Sequence, residues 1–233
     1  MHTETSAAVP GASPLATGFS KEAQRLTEVS DSSAWVPSDW PSEADRAQLS
    51  LRPLPSDALA LLVHVRAPAR LVAHLSVVHE VSCRLVAGVR KAWPQLLVDT
   101  GAVEFGAATH DIGKARHPYE LGQPGTMHEG AGEQLLLAAG VSPALARFAR
   151  THGCLSDAHV LEDLLVMVAD KIWKGKRDEA IEERLCAAIS EATGAPEWDV
   201  FLRLDTLAVA IQKKLIFPGG SAVEWQAQFG GAR

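Results

Sequence analysis

From residue 55 onward, apolar side chains recur at intervals of three and four residues, the spacing that places them on one face of an α-helix. The clearest example is the stretch 70–92, where one stripe contains Leu71, Leu75, Val78, Ser82, Leu85 and Val89. Helices are also indicated over 56–65, 101–112, 126–140, 142–153, 160–173, 178–193 and 196–216. Polar and apolar residues do not alternate as in a strand. The sequence therefore predicts an all-α protein, a compact helical bundle with short connections.

The ends of several helices are marked by residues that favour helix termini. Thr126 and Glu129 have the spacing of a capping box, and Ser142 with Pro143 is typical of an N-cap followed by a first helical residue. Gly113 ends the helix over 101–112. The segment 113–126 is then the one long loop inside the bundle.

Two changes of composition divide the chain. Residues 1–50 are rich in Ser, Ala, Pro, Asp and Glu without sustained periodicity, which predicts a flexible N-terminal tail. The helical texture covers residues 51–217, predicted to be one domain, and residues 218–233 are predicted to be a C-terminal tail.

Overall composition and charge exclude several classes of protein. The chain has 233 residues, 47% of them hydrophobic, and a net charge of −6, typical of a globular domain that attracts neither nucleic acid nor an anionic membrane. The three cysteines are far apart, which argues against a disulfide framework and against a thiolate zinc site. We found neither an apolar run that could span a bilayer nor a signal peptide, so the expected location is the cytoplasm.

The stretch "ATHDIGK" places a histidine and an aspartate side by side on a helix of small residues. His110 and Asp111 point about 100° apart, yet both can reach one point where their helix meets its neighbours. A metal ion would fit such a point. The alternative is an exposed polar turn at the end of the helix.

Two histidines compete for a ligand position on the long helix. His74 falls on the buried stripe, whereas His79 falls at its margin near the polar side. An unpartnered imidazole in the stripe would be costly, so His74 is the better candidate ligand.

Three further candidates lie on later helices. His128 is in a first helical turn, where the helix dipole favours the neutral imidazole that metals bind. His152 ends the next helix, where a charged histidine interacting with the C-terminus is an equally ordinary explanation. Asp170 lies in a helix that is apolar nearly all round, an unusual place for an unpaired carboxylate. Asp163, two turns earlier, is either a supporting group or solvent-facing.

Together these positions form a set of four imidazoles and two carboxylates without a thiolate. The candidate metal ligands are His74, His110, Asp111, His128, His152 and Asp170. Such a set suits one or two divalent ions of Fe, Mn, Co, Ni or Zn, with Mg as an alternative. Asp111 can bridge two ions, one through each oxygen.

This ordered set resembles the HD superfamily of metal-dependent phosphohydrolases. The resemblance covers about residues 70–175 and rests on "ATHDIGKA", the His74 helix and "VMVADKIWKGKR". "MHEGAGEQLLLAAGV" and "ARFARTHG" resemble the form with two extra histidines, as in bacterial diadenosine tetraphosphate hydrolases and cyclic-dinucleotide phosphodiesterases. The loop "ARHPYELGQPGTM" lacks the Gly-Tyr-Pro signature of the diguanylate phosphodiesterases, which disfavours that activity.

The resemblance implies an HD-type bundle with metals between its helices and a metal-activated water attacking phosphorus. Asp111 and Lys114 are the expected catalytic residues. The expected substrate-binding residues are Lys114, Lys171, Lys174 and Arg177. A solvated basic face at a helix end is an equally weighted explanation for Lys174 and Arg177, which also complement the helix dipole.

The expected function is therefore hydrolysis of a phosphate ester or anhydride of a nucleotide or related small molecule. Two alternatives remain: an HD-type di-iron oxygenase, which uses the same ligand pattern, and a non-catalytic nucleotide-binding regulatory domain. The expected partner is a small phosphorylated molecule rather than a membrane or a nucleic acid. The oligomeric state stays open.

Overall fold

The computed structural model describes residues 36–217 and 220–230. Within them the chain forms ten α-helices joined by short connections, and the predicted all-α class is confirmed. The helices are α1 Glu43–Gln48, α2 Ser56–His64, α3 Ala69–Ala92, α4 Thr100–Thr109, α5 Met127–Ala138, α6 Pro143–Thr151, α7 Leu161–Ile172, α8 Glu179–Thr193, α9 Glu197–Lys214 and α10 Ala222–Ala227. Strands β1 Ile216–Phe217 and β2 Gly220–Ser221, of two residues each, pair antiparallel. The sequence did not indicate this pair of strands.

The long helix α3 is the centre of the domain, in contact with α4, α7, α9 and α10. Leu71, Leu75 and Val78 of the predicted stripe are fully buried. By length and apolar composition α3 could cross a membrane, which corrects the expectation that no segment is long enough. However, 83% of its most apolar stretch is buried inside the domain, as in the core helix of many proteins that lie outside membranes.

The predicted loop 113–126 contains two short 3₁₀-helices, Ile112–Ala115 and Pro118–Leu121. α4 ends at Thr109, earlier than predicted. The side chain of Thr126 makes no capping hydrogen bond, and neither does that of Ser142, so the predicted capping box at Thr126 is absent. Pro143 does occupy the start of α6 as predicted.

The folded domain extends beyond the predicted limits of 51–217. Trp40 and Leu49 are buried in the core, and the Trp40 indole donates a hydrogen bond to the Ala67 carbonyl at 3.0 Å. Trp225 is fully buried and donates to the Asp45 carbonyl at 3.0 Å. Tryptophans bury large apolar areas, so even short segments carrying them dock onto the bundle. The parts of the predicted tails at 1–35, 218–219 and 231–233 lie outside the described residues.

Two glycines allow the site-bearing elements to approach closely. A Cβ on Gly113 would lie 1.9 Å from the His128 carbonyl oxygen, and a Cβ on Gly106 would lie 2.6 Å from the Phe148 ring. The first contact places the turn after Asp111 directly against α5, and the second seats α4 on α6. Only a residue without a side chain permits either distance.

Candidate metal centre

Five of the elements bring the six predicted ligands to one place in the bundle. His74 comes from the second turn of α3, and Asp170 from the last turn of α7. His110 and Asp111 follow the end of α4, His128 lies in the first turn of α5, and His152 follows the last residue of α6. The predicted set is thus assembled from residues up to 96 positions apart in the chain, the separation of His74 and Asp170.

The first half of the cluster contains His74, His110, Asp111 and Asp170. His74 Nε2 lies 3.0 Å from Asp111 Oδ2, 3.3 Å from His110 Nε2 and 3.6 Å from Asp170 Oδ1. His110 Nε2 lies 3.7 Å from Asp111 Oδ2 and 3.9 Å from Asp170 Oδ1. Two imidazole nitrogens and two carboxylate oxygens therefore converge on one point.

The second half contains Asp111, His128 and His152. Asp111 turns its other oxygen, Oδ1, toward this side, 3.1 Å from His128 Nε2 and 3.2 Å from His152 Nε2. The two ring nitrogens are 3.3 Å apart. Asp111 thus directs one oxygen to each half, the arrangement expected of a carboxylate that bridges two ions.

Hydrogen bonds at Nδ1 fix the orientation of three of the four imidazoles. His110 Nδ1 lies 3.0 Å from the Ala107 carbonyl oxygen, and His152 Nδ1 lies 3.2 Å from that of Phe148. His128 Nδ1 lies 2.5 Å from Glu120 Oε2. Because an acceptor faces each Nδ1, the proton belongs there, and Nε2 presents a lone pair to the cluster.

The buried oxygen Oδ1 of Asp111 has no hydrogen-bond partner among the described residues. An unsatisfied buried polar atom costs about 1–3 kcal/mol, and more when it carries charge. Since the atoms nearest to it are imidazole nitrogens with lone pairs, a cation is what this environment lacks. The residues present therefore fit a metal site, and both halves of the cluster can hold an ion.

The pKa shifts of three ligands, His110, Asp111 and Asp170, agree with the deprotonated form that binds a metal. Burial lowers the pKa of His110 to about 3, so its ring is neutral at physiological pH. Burial opposes ionisation of Asp111, but His110 and the contacts from His128, His152 and His74 hold its pKa well below the usual range. For Asp170, likewise, burial is outweighed by His74 and by Lys174, which lower its pKa.

Sequence reasoning missed Glu120, a buried carboxylate in the second 3₁₀-helix. Its Oε2 accepts from the His128 backbone N–H at 3.1 Å as well as from the ring, and its Oε1 accepts from the Met127 N–H at 3.1 Å. Although burial opposes ionisation, the hydrogen bonds from His128 and neighbouring donors lower its pKa to about 2. In turn, burial disfavours a charged His128, but Asp111 and Glu120 raise its pKa, which runs against the neutral imidazole expected in a first helical turn. The only signal in the sequence that could have identified Glu120 was an acidic residue in the predicted loop 113–126.

The predicted basic residues separate into two groups. Lys114 Nζ lies 2.6 Å from Asp111 Oδ2, and Lys174 Nζ lies 3.1 Å from Asp170 Oδ2, so both belong to the cluster. Lys171 instead pairs with Asp178 at 3.6 Å. Arg177 pairs with Glu182 and Asp205. The structure therefore does not bring Lys171 or Arg177 to the cluster, because carboxylates on other helices hold them.

Two other expectations about the helices need correction. His79 is not at a polar margin: it is 2% exposed, because α3 is enclosed on nearly all sides, and it contacts Cys83 rather than the cluster. Asp163 neither supports Asp170 nor faces solvent. It pairs with Arg147 at 2.9 Å and accepts from the Val160 N–H at 3.1 Å, which caps α7.

Comparison with protein-family models, with curated proteins and with solved structures finds no match to this chain in any of the three.

Proposed function

We propose that this protein is a metal-dependent phosphohydrolase of the HD type that acts on a nucleotide or a related small phosphate compound. The observation that carries the proposal is the orientation of the Asp111 carboxylate, which directs Oδ2 toward His74 and Oδ1 toward His128 and His152. Such an arrangement suits a pair of neighbouring cations. The order of the ligands along the chain, which resembles the HD superfamily, supports the same proposal.

Each half of the cluster would hold one ion. His74, His110 and Asp111 lie on one side, with Asp170 within 3.6 Å of His74, and Asp111, His128 and His152 lie on the other. When bound, divalent ions supply Lewis acidity toward phosphoryl oxygens and a water of lowered pKa. The chain's own contribution is orientation. The Nδ1 contacts of His110, His128 and His152 keep each Nε2 aimed inward. Burial of His74, His110 and Asp111 keeps bulk water away from their ligand atoms.

The two lysines in the cluster support the proposal of a phosphorylated substrate. Lys114 and Lys174 are both partly exposed, with side-chain exposures of 19% and 30%, while their carboxylate partners are more deeply buried. Once cations neutralise Asp111 and Asp170, both ammonium groups are available to the charge on a transferring phosphoryl group. Lys174 also lies over the Trp173 ring, 5.5 Å from its centroid, which limits its freedom.

The test is a screen of the metal-reconstituted full chain against nucleotides, dinucleoside polyphosphates and simple phosphate esters. We expect phosphate release that requires a divalent metal and stops on addition of EDTA. Turnover that persists after verified metal removal would overturn the proposal. Oxygen uptake without phosphate release would favour the di-iron oxygenase, and nucleotide binding without turnover would favour the regulatory domain.

Two aspartates on α7 provide a matched pair of variants. Asp170→Asn should abolish the metal-dependent release, because Asp170 faces the cluster. Asp163→Asn should retain it and lower only the melting temperature, because Asp163 pairs with Arg147 and caps the helix. Equal activity of the two variants would contradict the assignment.

We further propose that the protein works in a reducing cytoplasm. Its three cysteines are free thiols, which supports that compartment.

A further inference from the structure

A second group of metal-ligating side chains lies between α3 and α4, separate from the six-residue cluster. It contains His79 and Cys83 of α3 and Glu104 of α4, with one potential ligand atom of each within 4.8 Å of the others. His79 and Cys83 are four residues apart, so they lie on the same face of the helix. The distance from His79 Nε2 to Cys83 Sγ is 3.5 Å.

Two of these groups are buried, and one of them has an unsatisfied nitrogen. His79 is 2% exposed and Cys83 is 4% exposed, while Glu104 is half-buried. The Nδ1 atom of His79 has no hydrogen-bond partner within the described part of the chain. An imidazole packed this deeply normally has both nitrogens satisfied, so the Nδ1 atom of His79 lacks a partner while its Nε2 atom faces Cys83.

The surrounding charges permit a cation. Glu80, which is 1% exposed, pairs with Arg52 at 3.0 Å and with Arg84 at 2.6 Å. Glu80 and Glu104 together balance those two arginines. A Cys83 thiolate would then leave one net negative charge at this place, which a divalent ion more than compensates.

Burial determines which protonation states occur without an ion. It raises the pKa of the Cys83 thiol to about 12 and lowers the pKa of His79 to about 4. The imidazole is therefore a neutral donor ready to bind, whereas the thiolate forms only when a cation accompanies it.

We propose that His79, Cys83 and Glu104 bind one thiophilic divalent ion of the zinc class. On binding, the Cys83 S–H bond breaks, its proton passes to solvent and a sulfur–metal bond forms, with no change of oxidation state. Thiolate, imidazole and carboxylate are the ligands that zinc uses in proteins, and sulfur distinguishes this site from the nitrogen and oxygen ligands of the six-residue cluster. The ion would tie α3 to α4, the helices that carry His74 and lead into His110.

The probe is Cd²⁺ added to the metal-free full chain, followed by ultraviolet sulfur-to-cadmium charge-transfer absorption. Only a thiolate ligand gives this band, so cadmium in the six-residue cluster does not contribute. The parent protein and every variant in this experiment carry Cys154→Ser, because Cys154 is exposed and would bind cadmium by itself. We expect the band to saturate with the amplitude of about one sulfur–cadmium bond per chain, at up to about three equivalents of added cadmium because the six-residue cluster also takes up the ion.

The variants then locate the sulfur. Cys83→Ser should abolish the band, whereas Cys186→Ser should keep it. Cys186 is a matched control, a buried thiol whose pKa burial also raises, to about 11. Glu104→Gln should weaken cadmium binding by roughly tenfold or more.

Absence of the band in the parent protein would overturn the proposal, as would a band that survives Cys83→Ser or disappears in Cys186→Ser. Circular dichroism checks folding. If Cys83→Ser does not fold, Glu104→Gln decides, because an unchanged cadmium affinity in that variant also overturns the site. None of these outcomes depends on phosphohydrolase activity.

Discussion

Glu120→Gln is the sharpest test of how the second half of the metal centre is built. Glu120 accepts four hydrogen bonds: from the Tyr119 hydroxyl and the Met127 N–H at Oε1, and from the backbone N–H and ring Nδ1 of His128 at Oε2. Glutamine has one carbonyl oxygen and one NH₂ group. In the Oε1 position the NH₂ group meets the Met127 N–H, and in the Oε2 position it meets the His128 N–H and ring, so a hydrogen bond is lost either way. The negative charge that strengthens the contact with the His128 ring is lost in both orientations.

The magnitude follows from the bond that aims the His128 ring. A hydrogen bond to a charged group contributes about 1.5–3 kcal/mol, and 1.4 kcal/mol corresponds to about tenfold in affinity. We therefore expect the second half of the cluster to bind metal roughly 10- to 100-fold more weakly, the usual cost of losing an outer-shell partner. The metal affinity of the first half should be unaffected, because Glu120 contacts none of the ligands of that half.

The assay is metal titration of the metal-free protein, with bound ions counted by mass spectrometry. Tyr119→Phe is the control: it removes one of the four hydrogen bonds from an exposed side chain and should change affinity little. If Glu120→Gln binds two ions as tightly as the parent, Glu120 does not position His128. Equal loss from both halves in a folded protein would also refute the reasoning.

Three further predictions follow from the geometry. A double change of His128→Ala and His152→Ala should lower the bound metal from about two ions to about one, while Asp111→Ala should impair both halves; a single ion on the saturated parent would contradict the two-ion arrangement. In the metal-free protein His79 has a pKa near 4 when folded and about 6.5 when unfolded. The free energy of unfolding therefore keeps its full value above pH 6.5 and falls by about 3 kcal/mol as the pH drops to 4, because only the unfolded state then binds the proton. Urea titrations should show a shallower loss in His79→Gln, and an identical slope would refute this. Gly113→Ala should destabilise the fold by more than about 3 kcal/mol, because its Cβ meets a backbone oxygen; a melting temperature within a few degrees of the parent's would contradict it.

The sequence by itself determined the class of fold and the candidate ligands. Periodic apolar positions identify helices because local spacing decides which face is buried, and α3 follows the predicted stripe closely. Two of the six candidate ligands were found because an imidazole or a carboxylate buried in an apolar helix is costly without a partner. His74 and Asp170 stood out in this way from their neighbours alone.

Only the tertiary structure decided what each polar group meets. Glu120 could not be found because its importance depends on a loop that returns to α5. The ion pair of Arg177 could not be found either, because its partner Asp205 is 28 positions away. His79 lies at the edge of the stripe by helical phase, yet α4 covers that face and brings Glu104 to Cys83. Such contacts join residues distant in the chain, and no local pattern records them. Helical periodicity is a property of the local backbone, whereas ligand sets and ion pairs depend on how the helices pack.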